Sequence, residues 1–263
     1  MSFATLPPPL RSRAAAEASK KTAALIGLLF LTATAAFIGA DTLNSGVLQQ
    51  PDFLRTASGQ TGALATSALL LFGQFGVVGI AVLLYPLLKP HCPSLALAHV
   101  GFRTAELAAS LFYLAIPLTT IHLATGLRDG TVDTAVSTSL AALLQAQYSV
   151  TILMIYLVTT AAGMCMAILL FRSRLIPRWL AVLGLASYPA LLAGCILNLF
   201  GVIDVTQGIG LIALVPGGLF ELILPIWLLT KGFCTPPLDD HPAERTSMVP
   251  STERVGPRQV GFN

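Results

Sequence analysis

Charge is what this sequence has least of. Asp, Glu, Lys and Arg make up 10% of its 263 residues, against about 25% in ordinary soluble domains, which excludes a water-soluble globular fold of normal composition. Cysteine is sparse too. Cys92, Cys165, Cys195 and Cys234 follow no metal-binding spacing and imply no disulfide framework. Catalytic signatures are also missing. There is no Gly-x-Ser-x-Gly elbow, no His-Glu-x-x-His helix, no phosphate-cradling Gly-Lys loop and no paired Asp-rich diphosphate motif, so a nucleotide-driven pump is excluded. No metal and no cofactor are expected, and nucleic acid is not among the expected partners.

Hydrophobic length takes the place of charge. Apolar runs occur near residues 22–43, 61–88, 95–125, 139–171, 179–202 and 208–230, and a bilayer core of about 30 Å takes roughly 20 helical residues to cross. The runs are long and unbroken, whereas a lipid-facing barrel strand alternates over about ten residues. The expected fold class is therefore all-α, a polytopic membrane protein of six transmembrane helices with the lipid bilayer as its main partner. The first run follows a basic start, as a signal peptide does. It is too long for an h-region, and Ile38-Gly39-Ala40 is a poor cleavage site, so it is expected to stay as a helix.

Lys and Arg are distributed unevenly about these runs. Arg11, Arg13, Lys20 and Lys21 precede the first, Lys89 lies in the second connection, Arg172, Arg174 and Arg178 in the fourth, and Lys231, Arg245, Arg254 and Arg258 follow the last. The odd-numbered connections hold only Arg55 and Arg128, beside Asp41, Asp52, Asp129, Asp133 and Asp204. By the positive-inside rule both termini are expected in the cytoplasm. Residues 1–21 read as a flexible basic arm, 22–233 as the membrane domain, and 234–263, rich in proline and polar residues, as a disordered cytoplasmic tail.

Two helices carry local irregularities. Gly73, Gly76 and Gly79 recur on one side of the second helix, where small residues let a neighbouring backbone approach closely. The sixth contains Pro216-Gly217-Gly218 and Pro225, which predicts a kink or a short unwound stretch.

Three charges lie deep inside the apolar runs, Arg103, Glu106 and Glu221, whereas Asp41 falls at the end of the first and counts with the connection. A charged side chain at the bilayer centre costs roughly 2.5–3.5 kcal/mol even on lenient insertion scales, so such residues usually face a partner, a cavity or a reaction. With the third helix starting near Ser94, Arg103 sits about 14 Å into it, and Glu221 sits about 15 Å from the same end of the sixth. Arg103 and Glu106 share a helical face with His99 one turn earlier. One guanidinium could bridge both carboxylates, leaving one negative charge to be met by a proton or a cation. Gln74 and Tyr156 lie near the same depth. The candidate ligand-binding set is Arg103, Glu106, Glu221, His99, Gln74 and Tyr156, with Glu221 and Glu106 the candidate catalytic acids. His99 alternatively bonds a backbone carbonyl, and the charged triad alternatively staples two helices.

The run Tyr85-Pro86-Leu87-Leu88-Lys89, then Leu95-Ala96-Leu97 and Val100-Gly101-Phe102-Arg103 with Glu106, resembles the bacterial domain of unknown function 4386 family. Ser173-Arg174-Leu175-Ile176-Pro177-Arg178-Trp179-Leu180, and Glu221 followed by Trp227-Leu228 and Lys231-Gly232-Phe233, agree with it. The resemblance covers roughly residues 20–233. It implies a six-helix integral membrane fold in a bacterial inner membrane and supplies no activity.

The reading that follows is a membrane protein that binds or moves a small, unidentified solute at a buried Arg/Glu site. One alternative is a membrane-embedded isomerase or cyclase acting on a lipophilic, isoprenoid-like substrate, with Glu221 or Glu106 as the acid. The other is a structural or regulatory membrane protein without a ligand. A cavity reaching both faces favours transport, a closed apolar pocket opening to lipid favours an enzyme, and a filled core favours the structural role. Six helices are few for a solitary carrier, so a homodimer is a candidate assembly.

Overall fold

The computed structural model describes residues 8–50 and 52–234, and no strand occurs among them. Six helices are long and apolar enough to cross a membrane. They are α1 (Pro8–Leu48), α2 (Phe53–Leu88), α3 (Pro93–Arg128), α4 (Thr134–Ser173), α5 (Arg178–Leu199) and α6 (Gly208–Thr230). Each packs on its successor, and α6 closes the ring against α1. The first apolar run is thus an integral wall of the bundle. The alternating course of the chain brings Lys89, Arg172, Arg174, Arg178 and Lys231 to one end, called here the basic end.

The helices exceed the apolar runs because their ends project past the hydrophobic stretch. α1 is helical from Pro8, so much of the stretch expected as a flexible arm continues the first helix. There Glu17 pairs with Lys21 at 2.9 Å, and this bond holds the Glu17 carboxyl below the usual range. The residues before Pro8, and the tail from 235 to 263, lie outside the described residues. At the other end α1 continues to Leu48, which moves Asp41 from the expected connection into the helix. α5 stops at Leu199, short of the expected 202, because Gly201 turns the chain with φ 70°.

Glycine sets the helix spacing, as it must where lipid supplies no hydrophobic force between helices and close contact does the work. A Cβ on Gly73 would stand 2.7 Å from that of Ala36, and one on Gly76 would stand 3.5 Å from Ala33, so the glycine stripe of α2 is a seam with α1. Gly27 of α1 lies against the Pro225 carbonyl of α6, 2.8 Å from where its Cβ would be. Gly163 of α4 leaves room for the ring of Tyr188 on α5, and Gly184 of α5 for Phe220 on α6.

The break expected in α6 lies at its start. Residues Gly208–Leu214 form a 3-10 helix that turns α-helical at Val215, with Pro216 in the first α turn, where a proline's missing N–H costs nothing. Pro225 is accommodated in the helix interior.

The core is uneven. Towards the basic end Ala23, Ile26, Leu84, Met166, Leu170, Leu224 and Leu228 form one filled cluster. Towards the opposite end the packing divides. Ala40, Leu71, Tyr113, Ile116 and Ile152 join α1 to α2, α3 and α4, while Leu191 and Cys195 of α5 and Val205 of the connection pack with Leu157 of α4 and with Ala213 and Leu214 at the start of α6. α1 and α6 therefore diverge above the filled half.

Candidate functional site

The divergence encloses a cavity of about 290 Å³ to which all six helices contribute. This is close to the lower bound of roughly 300 Å³ for small-molecule sites. Its floor is Phe30 and Ile80, where the filled core ends. Its walls are mainly apolar and aromatic, with Phe37, Ile155, Tyr156, Tyr188 and Leu191 among them. Of the lining residues only Ile38 and Thr42 on α1 and Gly218 and Leu222 on α6 are exposed. The mouth is thus lateral, between α1 and α6. Ile38 lies inside the apolar run 22–43, Gly218 and Leu222 lie inside 208–230, and Thr42 stands at the end of the first run, so the mouth faces the hydrocarbon and reaches up to its boundary.

One pole of the cavity holds the charged residues singled out in the sequence. Arg103, 3% exposed, donates from Nη1 to both oxygens of Glu106 at 3.1 and 2.9 Å. The i,i+3 spacing places both on one face of α3, so the pair forms within the helix. The bridge to Glu221 does not form. Glu221 lines the same cavity and feels the Arg103 charge, yet no hydrogen bond or ion pair joins the two among the described residues. The depth argument places both groups at one level but says nothing of rotation about the helix axis, and Arg103 is satisfied locally. Its Nε and Nη2 have no partner, and neither does the hydroxyl of Tyr188. Tyr188 stands beside Arg103 and Glu221.

With Arg103 and Glu106 cancelling, Glu221 leaves this pole with one formal negative charge. Glu221 is half-buried, and an unpaired charge facing an apolar cavity within the membrane-spanning helices is costly, so the pole is complete only with a proton or a cation on Glu221.

The opposite pole was not legible in the sequence as a site. Asp41 lines the cavity and accepts hydrogen bonds from Tyr113 at 2.7 Å and Tyr148 at 2.9 Å, both on Oδ1. Three helices are thereby tied at one carboxylate. Gln74 lines the cavity and donates from Nε2 to the Ala33 carbonyl at 3.0 Å, a bond from α2 to α1. Tyr156 and Glu106 line it too. His99 does not. Its Nδ1 meets the Ala162 carbonyl at 2.9 Å, so it ties α3 to α4 below the cavity. No group of His, Cys, Asp and Glu among the described residues is arranged to hold a metal ion, and all four cysteines are free.

A family model described as Domain of unknown function (DUF4386) matches residues 25–232, which include α2 to α6 whole and α1 from residue 25 onward. No curated protein and no solved structure matches the chain.

Proposed function

The chain belongs to the domain of unknown function 4386 family, and on that premise, which carries no activity, we propose that it is a multi-pass membrane protein that binds a lipophilic organic cation. The cation enters from the bilayer between α1 and α6 and exchanges with a proton on Glu221. The observation that carries this reading is an unpaired carboxylate at the end of a mainly apolar, aromatic-walled cavity whose only exposed rim is at hydrocarbon depth. An ammonium or phosphonium there neutralises the surplus charge. Phe30, Phe37, Tyr156 and Tyr188 line it, and an aromatic ring met face-on is worth about 0.5–2 kcal/mol to a desolvated cation. An anion is disfavoured because the charge of Arg103 is already matched by Glu106.

In this reading the basic end is cytoplasmic, in a bacterial inner membrane, following the Lys and Arg asymmetry. A periplasm-dependent reporter fused after Lys231 stays silent in that orientation and is active in the reverse one.

The cation reading is tested with tetraphenylphosphonium and the purified full chain in nanodiscs. Binding weakens as pH falls, because protons and the cation compete for one carboxylate. Arg103, Glu106, Tyr188, Tyr156 and Asp41 are the other ionisable groups that face the cavity. Glu221→Gln keeps the shape, removes the charge and abolishes the pH-dependent binding. Equal binding by Glu221→Gln at all pH values overturns the proposal.

The lateral mouth and apolar walls also favour a second reading, an enzyme in which protonated Glu221 is the acid towards a lipophilic alkene or epoxide. Turnover of such a substrate with no affinity for the phosphonium decides for it.

A further inference from the structure

The cation site uses one pole of the cavity, and Asp41 stands at the other. Both tyrosine bonds to Asp41 fall on Oδ1, so Oδ2 remains available within a carboxylate that lines the cavity. One turn further along α1, Asn44 is fully buried beside Tyr113, whose hydroxyl is close enough to meet its amide, and it lies behind the cavity wall rather than in it. The Asp41 pole thus keeps one carboxylate oxygen beyond its tyrosine bonds, and the Glu221 pole keeps a carboxylate that no ion pair among the described residues neutralises. Between the poles the wall is mostly apolar, with Phe37 and Ile38 of α1 and Leu191 and Leu214 opposite.

We propose that the cavity is ditopic. It takes a linear molecule with a cationic group at each end, one on Glu221 and one on Asp41, whose apolar chain lies along α1. This rests on the cation reading above and names the substrate class, long α,ω-diamines and their bis-quaternary analogues.

The spacing follows from the helix geometry. Gly27 faces Pro225 across the antiparallel α1 and α6. Asp41 lies fourteen residues beyond Gly27, about 21 Å along α1, and Glu221 lies four residues before Pro225, about 6 Å in the same direction. The carboxylates are therefore separated by about 15 Å along the bundle. An extended chain advances about 1.2 Å per bond, and the two ammonium–carboxylate contacts of about 2.8 Å take up part of the span. The matching molecules have about seven to eleven methylenes.

The experiment is displacement of tetraphenylphosphonium from the full chain by a series of amines. Diaminooctane, diaminodecane and diaminododecane are compared with diaminobutane and with monoamines of equal length. A matched diamine displaces the probe at a concentration at least about tenfold below that of its monoamine, through the second, intramolecular contact, while diaminobutane shows no such advantage. Asp41→Asn can still accept both tyrosine bonds, and it brings the ratio of diamine to monoamine affinity down to about one. Asp41→Glu keeps the charge on a longer arm and shifts the preferred diamine towards a shorter one, which reads the site even where the Asn variant fails to fold. Diamines no better than monoamines in the wild-type chain, or an unchanged length preference in Asp41→Glu, overturn the ditopic proposal alone. No displaceable cation binding in the wild-type chain sinks the cation reading and this one together.

Discussion

Arg103 is the residue on which the balance of the buried charges turns. It neutralises Glu106 through Nη1, and its loss would leave two carboxylates, Glu106 and Glu221, on one cavity without a cation. Removing one partner of a buried pair typically costs 3–5 kcal/mol, whereas replacing the pair by apolar groups of similar volume is often neutral. Arg103→Ala is therefore expected to lose roughly 3–5 kcal/mol of stability in detergent, and the double change Arg103→Met with Glu106→Leu to lose clearly less. Thermal unfolding of the two variants checks the order, and a fully tolerated Arg103→Ala would place its side chain in water. Arg103, Glu106 and Glu221 were legible in the sequence because a charge inside an apolar run is conspicuous. Asp41 was not, because it lies close enough to the end of its run to pass for a loop acid until α1 is seen to continue to Leu48. Tyr188 gave no signal at all, since a tyrosine in an apolar run is ordinary. Its place beside Arg103 depends on how α5 is rotated against α4, which spacing along one helix does not reveal.

Among the elements, the seams were more legible than the break. The stripe of Gly73, Gly76 and Gly79 was expected to admit a neighbouring backbone, and it packs on α1. The irregularity of α6 was expected around Pro216-Gly217-Gly218, yet the 3-10 segment precedes Val215, because proline fits the first turn of an α-helix better than its interior. Gly163 allows a quantitative check. A methyl there would enter the ring of Tyr188, which could yield only by leaving its packing against Phe220 and moving into the cavity. Overpacking of this kind costs typically 1–3 kcal/mol. Gly101, on the exposed side of α3, has nothing within 4 Å of its would-be Cβ, so there alanine is expected to be neutral or to stabilise by up to about 1 kcal/mol through helix propensity. Thermal unfolding of Gly163→Ala and Gly101→Ala in the same detergent should separate them in opposite directions. Equal stability would mean that α4 and α5 are not held together through Tyr188.

For the whole molecule, the question is where a ligand enters. The bundle is filled towards its basic end and divided towards the other, with α1 held to α2, α3 and α4 while the start of α6 is held to α5. A ring of six helices that parts only between its first and last members opens to lipid, so a membrane-dissolved ligand can enter without crossing the headgroup layer. Gly218 stands in that opening, exposed, with nothing within 4 Å of its would-be Cβ. The position therefore admits a Cβ freely, and its exposure leaves a larger side chain room on the lipid side, where it narrows the mouth. Gly218→Trp is expected to slow association of tetraphenylphosphonium with the nanodisc-embedded chain by about tenfold or more, a barrier increase of at least about 1.4 kcal/mol. Release should slow by a similar factor, because entry and exit share the same gap, and the equilibrium affinity should change little. Stopped-flow fluorescence gives both rates. An unchanged association rate would mean that the ligand reaches Glu221 along the bundle axis from the aqueous side, and that the gap between α1 and α6 is only the lipid-facing edge of a channel.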